Sequence, residues 1–147
     1  MNKILLFVLN DAMFGIELTY VKEVIETRNI RPVPLAPSFV SGLLNHRGIF
    51  LTIIHLALLL GLSPGKDDQD SRIIILDDKE MDIGILAKKV IGTKTLASPG
   101  GGKEPRTIAN GDNPEFFKMV LEGAEGIPDI TILDAEKLLR SVLEYNF

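Results

Sequence analysis

The sequence predicts a mostly β protein: two related small β-barrels packed around a shared hydrophobic core, with short helices and a helix at the C-terminus. Three observations carry this. Short, apolar, β-branched runs alternate with turn residues along the chain. A stretch beginning at Gly48 is repeated at Gly126. The clearest capped helical pattern comes last, after Asp134.

The elements follow in order. Residues 4–9 are continuously apolar, the pattern of a strand buried on both faces. Asn10-Asp11-Ala12 turns the chain, and residues 14–18 resume as the hairpin partner. Thr19 reads as the cap of a short helix over 20–27, because Tyr20, Val21, Val24 and Ile25 share one helical face. Pro32, Pro34 and Pro37 predict an extended surface segment over 31–38. Residues 39–44 and Ile49–Ile54 read as strands flanking the tight turn Asn45-His46-Arg47-Gly48. A short helix over 56–62 is closed by Gly61 and Pro64, and 63–71 is a polar surface loop. Residues 73–76 and 81–86 form another hairpin, and 90–96 a further strand. The Gly- and Pro-rich stretch 97–114 predicts a long loop. Residues 116–121 and Ile130–Leu133 are the last strands, and Asp134 caps a helix over 135–145.

The repeat organises these pieces. With one inserted residue, Thr52 aligns with Thr131, His55 with Asp134 and Leu60 with Leu139. Phe39 lies over Phe117, and Phe14-Gly15-Ile16 over Ile83-Gly84-Ile85. Each half offers a hairpin, a connection, a second hairpin and a short helix. The chain 1–147 is thus a single domain of two intertwined barrel subdomains, split near 63–71. The alignment also places His55 at a helix N-cap, where imidazole caps less well than the carboxylate of Asp134, at a cost of about 1 kcal/mol at most.

Composition excludes several functions. The chain has 147 residues, a charge of −4 and 24% charged residues, with 46% apolar. That is too hydrophobic for intrinsic disorder and lacks the basic surplus of a non-specific nucleic-acid binder. Zero cysteine removes thiol catalysis, thiolate zinc sites and disulfides, and fits a reducing compartment. No apolar run is long enough for a membrane span, and the first is too short for a signal-peptide core. The expectation is a cytoplasmic, stand-alone protein with no membrane insertion. Its mean hydropathy of +0.21 leaves apolar content for partner surfaces.

Catalytic patterns are missing. His46 and His55 are the only imidazoles, set among apolar residues, which does not make a zinc site. No G-x-S-x-G elbow occurs. Residues 61–67 fail the phosphate-loop spacing, and Gly100-Gly101-Gly102-Lys103 lacks its flanking elements. The acidic run 67–70 lacks the Gly and Glu of a calcium loop. The reading is a binding module: not an enzyme, with no catalytic residues, metal or cofactor.

One stretch carries a resemblance. Val21-Lys22-Glu23-Val24, followed by Pro34-Leu35-Ala36-Pro37-Ser38-Phe39-Val40-Ser41-Gly42-Leu43-Leu44-Asn45-His46-Arg47-Gly48, resembles the CheW family of bacterial chemotaxis adaptors, with its V-x-E-V and P-x-x-P-x-F-x-x-G-x-x-N-x-R-G signatures. Weaker similarity continues through residues 132–139. The resemblance implies two SH3-like five-stranded barrels. It also implies a non-catalytic adaptor coupling chemoreceptor cytoplasmic tips to the regulatory domain of the histidine kinase CheA. Carried over by motif, the interface candidates are Val21, Glu23, Gly42, Asn45 and Arg47. The alternatives are a CheW-like scaffold of a non-flagellar pathway and a small-ligand-binding barrel using His46 and His55. This chain has His46 where the family usually has Leu, and Thr52 and His55 where the family has Pro and Asp.

Residue chemistry adds to this. Glu23 and Arg47 are expected to pair, since a guanidinium fork matches a carboxylate. Gly42 weakens a strand unless another backbone comes close or a bulge needs it. Gly48 supplies a turn conformation.

Overall fold

The computed structural model describes residues 3–65, 69–96, 114–123 and 125–145. Strand β1 (Lys3–Leu9) pairs antiparallel with β2 (Ala12–Glu17) across the Asn10-Asp11 turn. A single 3-10 turn, Leu18–Tyr20, then leads into β3 (Val21–Glu26). This corrects the helix expected over 20–27. Thr19 caps nothing and lies inside the 3-10 turn. The spacing of Val21, Val24 and Ile25 suits a helix, but Val24 is 36% exposed and only Ile25 of the segment is buried. An open strand edge decides the matter, because β-branched residues favour a pleated surface when one is offered.

Segment 31–38 is extended only in part. Arg31 forms an isolated bridge to Leu43. Ala36 N–H then donates to Val33 O at 3.3 Å across a turn, with Leu35 at φ 64°. Strands β4 (Val40–His46) and β5 (Ile49–Ile54) form the predicted hairpin, and α1 (Leu56–Leu59) follows. Next come β6 (Arg72–Leu76), β7 (Ile83–Ala87) and β8 (Lys89–Thr95). The last elements are β9 (Phe117–Leu121), β10 (Ile130–Leu133) and α2 (Ala135–Leu143). The expected loop at 97–113, with its glycine run, lies outside the described residues, as do residues 66–68 of the two other polar motifs.

Among the described residues, ten strands make two five-stranded sheets, ordered β8-β1-β2-β10-β9 and β3-β6-β7-β5-β4. These are one order written twice, with β1 equivalent to β6 and β2 to β7. The parallel register repeats as well. Thr131 lies opposite Phe14 and Thr52 opposite Ile83, two pairs that the alignment superposes. One match slips. His55 N–H donates to Phe39 O at 2.6 Å and Asp134 N–H to Phe116 O at 2.7 Å. The counterpart of Phe39 is therefore Phe116, not Phe117. Sheet membership crosses between halves: hairpin β1–β2 joins β8, β9 and β10, while β6–β7 joins β3, β4 and β5. Neither sheet is therefore a continuous stretch of the chain.

Three apolar clusters result. All five strands of the β3–β4 sheet place one face into an interior built on Ile25, Leu44, Leu51, Ile53, Ile73 and Leu86. The other sheet encloses Ile4, Ile130 and Ile132. The largest cluster is the seam, where Phe7, Phe14 and Ile16 meet Ile54, Ile74, Ile83 and Ile85, closed by Leu56, Leu60, Leu138 and Val142 from the helices. Each fully buried Ile or Leu contributes about 1.5–3 kcal/mol, so dividing the apolar residues among three centres still leaves each well stabilised.

Candidate functional site

The site begins at the two-residue turn of the β4–β5 hairpin. Arg47 and Gly48 both take positive φ, 54° and 82°, the signature of a type I′ turn. Asn45 Oδ1 accepts the Gly48 N–H at 3.1 Å and braces it. The turn projects Arg47 toward β3. There its Nη2 lies 3.1 Å from Glu23 Oε1, and its Nη1 lies 3.5 Å from Oε2. The pair expected from sequence is therefore formed, with Glu23 on a strand rather than a helix. A register shift between Val21 and Glu23 opposite Leu76 and Ile75 marks a bulge at Lys22, which re-aims the strand there.

His46 completes the cluster. It points inward from β4, is buried, and sets Nε2 3.3 Å from Glu23 Oε2. Its Nδ1 is buried without a hydrogen-bond partner. A cavity of about 120 Å³ opens beside the three residues, lined also by Leu51, Ile75, Lys22, Asp78 and Asp82. Arg47 remains 73% exposed, so its pairing with Glu23 orients a surface group more than it stabilises the fold.

The other candidates lie apart. Val21 is half-buried against the seam. Gly42 is buried in β4 at φ 146°, beside a register shift between Val40 and Gly42. A Cβ there would collide with the carbonyl of Arg31, so the backbone that approaches it belongs to this same chain. Sequence reasoning did not single out Leu43 and Phe50, which are 37% and 64% exposed. The turn type was the available signal. A two-residue turn places Asn45 opposite Phe50 and Leu43 opposite Thr52, all on one face.

A second polar cluster ties the halves together. Tyr20 Oη donates to Glu136 Oε1 at 2.9 Å, and Lys118 Nζ to Glu17 Oε1 at 2.6 Å. The Glu136 hydrogen bond, with lesser help from burial and the nearby carboxylates, pushes the Tyr20 hydroxyl up to about 12. The Glu17 hydrogen bond likewise raises Lys118 above the usual lysine value, against the pull of burial. Among the described residues, no cluster of His, Asp or Glu could hold a metal ion, and no helix is long and apolar enough to cross a membrane.

Fold and site together define a two-sheet β scaffold presenting a braced, ion-paired surface turn. The CheW-like domain model matches residues 3–143. The chain is 26% identical over 139 residues to a chemotaxis protein CheW from Treponema pallidum, covering 92% of this chain and 80% of that one. It is 31% identical over 90 residues to a chemotaxis protein CheW from Thermotoga maritima, covering 61% of this chain and 59% of the relative. A crystal structure of the scaffolding protein TtCheW from Thermoanaerobacter tengcongensis superposes with a TM-score of 0.79 at 24% identity, over 90% of this chain and 84% of the other. The chain belongs to the CheW-like family of non-catalytic chemotaxis scaffolds.

Proposed function

We propose that this protein is a cytoplasmic adaptor that couples the cytoplasmic tip of a chemoreceptor to the regulatory domain of the histidine kinase CheA. The observation that carries the reading is the Glu23–Arg47 pair. A turn with two positive φ values and an Asn brace presents one guanidinium, and a buried His contacts the Glu23 that orients it, although the pair contributes little to stability. Such convergence suits a presented contact. Asn45 holds the turn that presents it. A pull-down with the receptor tip and the CheA regulatory domain tests the reading. Arg47→Glu is expected to abolish capture of at least one partner while the thermal midpoint shifts by less than about 2 °C. Undiminished capture of both partners would remove Arg47 from the interface.

The position of His46 supports a narrower version, in which the pathway served is not a flagellar one. The family usually has Leu there, and a buried imidazole on Glu23 alters the group that orients Arg47. Exchanging His46→Leu and comparing affinity for receptors of different pathways tests this. The small-ligand alternative is weaker. The cavity of about 120 Å³ falls below the roughly 300 Å³ at which small-molecule sites begin.

A further inference from the structure

The contact between His46 and Glu23 is one that the architecture does not require. In the other sheet the equivalent register puts Gly92 where Glu23 stands. Extended past its last pair, it puts Gly123 where His46 stands. That sheet forms with neither side chain.

In this sheet the Glu23 carboxylate is divided between two donors. Its Oε1 faces Arg47 Nη2 at 3.1 Å, and its Oε2 is shared between His46 Nε2 at 3.3 Å and Arg47 Nη1 at 3.5 Å. A carboxylate accepts hydrogen bonds, so the neutral ring carries its hydrogen on Nε2 and keeps Nδ1 as a bare lone pair. That nitrogen is buried without a partner, and the residue is 8% exposed.

The ring lines the cavity of about 120 Å³, which has room for water to bring a proton. Its charged groups are Lys22 and Glu23 from β3, Arg47 from the turn, and Asp78 and Asp82 from the β6–β7 connection. Strands β5 and β6 line it with apolar side chains, such as Leu51 and Ile75. Three carboxylates thus face two cations, and a proton on His46 makes the balance even. An imidazolium would hold Oε2 by a charge-assisted hydrogen bond and repel the guanidinium beside it. Arg47 is 73% exposed and has water as an alternative partner, so it is Arg47 that gives way.

We propose that His46 is a positioning residue that makes the presentation of Arg47 proton-dependent. With the ring neutral, Glu23 holds the guanidinium. With Nδ1 protonated, Glu23 turns to the imidazolium and Arg47 is released. The output of this device rests on the adaptor reading above, because a partner that reads a held Arg47 binds the protonated chain more weakly. The internal step needs no partner.

Two-dimensional NMR of the free chain from about pH 5 to 8 tests the internal step through the His46 ring Cε1–H and the Arg47 Nε–H signals. Both are expected to move with one shared midpoint. In His46→Leu the Arg47 signal should stay level, and in Glu23→Gln His46 should still titrate while Arg47 does not respond. An Arg47 signal that ignores the titration of His46 in the parent overturns the proposal, and so does a His46 that does not titrate in this range. Titration calorimetry against a chemoreceptor tip fragment, on either side of that midpoint, reads the output. Binding by the parent should be at least about threefold weaker on the acid side, and binding by His46→Leu should be level. Equal pH responses in the two chains overturn the output. Absence of binding at both pH values overturns the adaptor reading, and the NMR result still decides the internal step.

Discussion

The two sheets share strand order, parallel register and bulge positions, yet their ends differ. In the β3–β4 sheet the bulge falls at Lys22, followed by Glu23. In the β8–β9 sheet the same register shift falls at Ile91, followed by Gly92. The first sheet has a braced two-residue turn bearing Arg47, whereas the second has a longer connection in which Asp129 caps Gly123. Positions that repeat are those that build the fold: Thr52 and Thr131, Gly15 and Gly84, and the two N-caps. Several positions that do not repeat carry no such duty. Glu23, His46, Arg47 and Phe50 are all of the second kind, which is why the interface is sought there.

The largest effect that would break this comparison is at Gly42. Its counterpart in the other sheet is Met119, so a side chain is tolerated there but not here. Gly42→Ala is expected to cost about 3 kcal/mol, from the positive φ and the clash with the Arg31 carbonyl. Met119→Ala should cost less. Denaturant unfolding of both variants measures the difference, and equal losses would mean that Arg31 moves aside freely.

A smaller effect is expected at His46. Replacing it with Leu removes a buried ring nitrogen that has no partner, and should stabilise the chain by about 1 kcal/mol. A loss of stability would instead show that the contact to Glu23 outweighs the unpaired nitrogen. The caps sharpen the comparison further. Asp134 Oδ1 accepts Lys137 N–H at 3.1 Å, and His55 Nδ1 accepts Leu58 N–H at a longer 3.4 Å. His55→Asp copies the better cap into the first half and should raise stability by about 0.5 kcal/mol, read as a higher denaturant midpoint.

The smallest effect is confined to alkaline pH. Tyr20 has its folded pKa raised from 10.0 to about 12, so its contribution is complete below pH 10 and is lost as pH rises through 12. Ionisation would replace the donated hydrogen bond with repulsion from Glu136, Glu17 and Asp134. Melting temperature measured from pH 9 to 12 should therefore fall less steeply for Tyr20→Phe than for the parent. Identical slopes would show that this contact does not couple the halves.

Much of this molecule is legible in its sequence. The hairpin at 3–17, the turn at Arg47-Gly48 and the cap at Asp134 follow from local patterns of apolar runs, turn residues and capping oxygens. The Glu23–Arg47 pair is legible because complementary charge survives an error in secondary structure. Residues 20–27 are not legible in the same way. Val21, Val24 and Ile25 satisfy helical spacing, and nothing local reveals that β6 offers an open edge roughly fifty residues on. The neighbour of Gly42 is hidden for a similar reason, since Arg31 reaches it only through a turn-rich segment that sequence reads as simply extended.

By itself the sequence determined most local elements, the duplication and the family, because these rest on short-range pattern and on similarity between nearby strings of residues. Tertiary structure alone decided which hairpin joins which sheet. It also decided that 21–26 is a strand, that His46 turns inward onto Glu23, and that Phe50 stays in water. Each of those depends on which surface comes to lie opposite, and burial is a property of the pair of surfaces, not of either string.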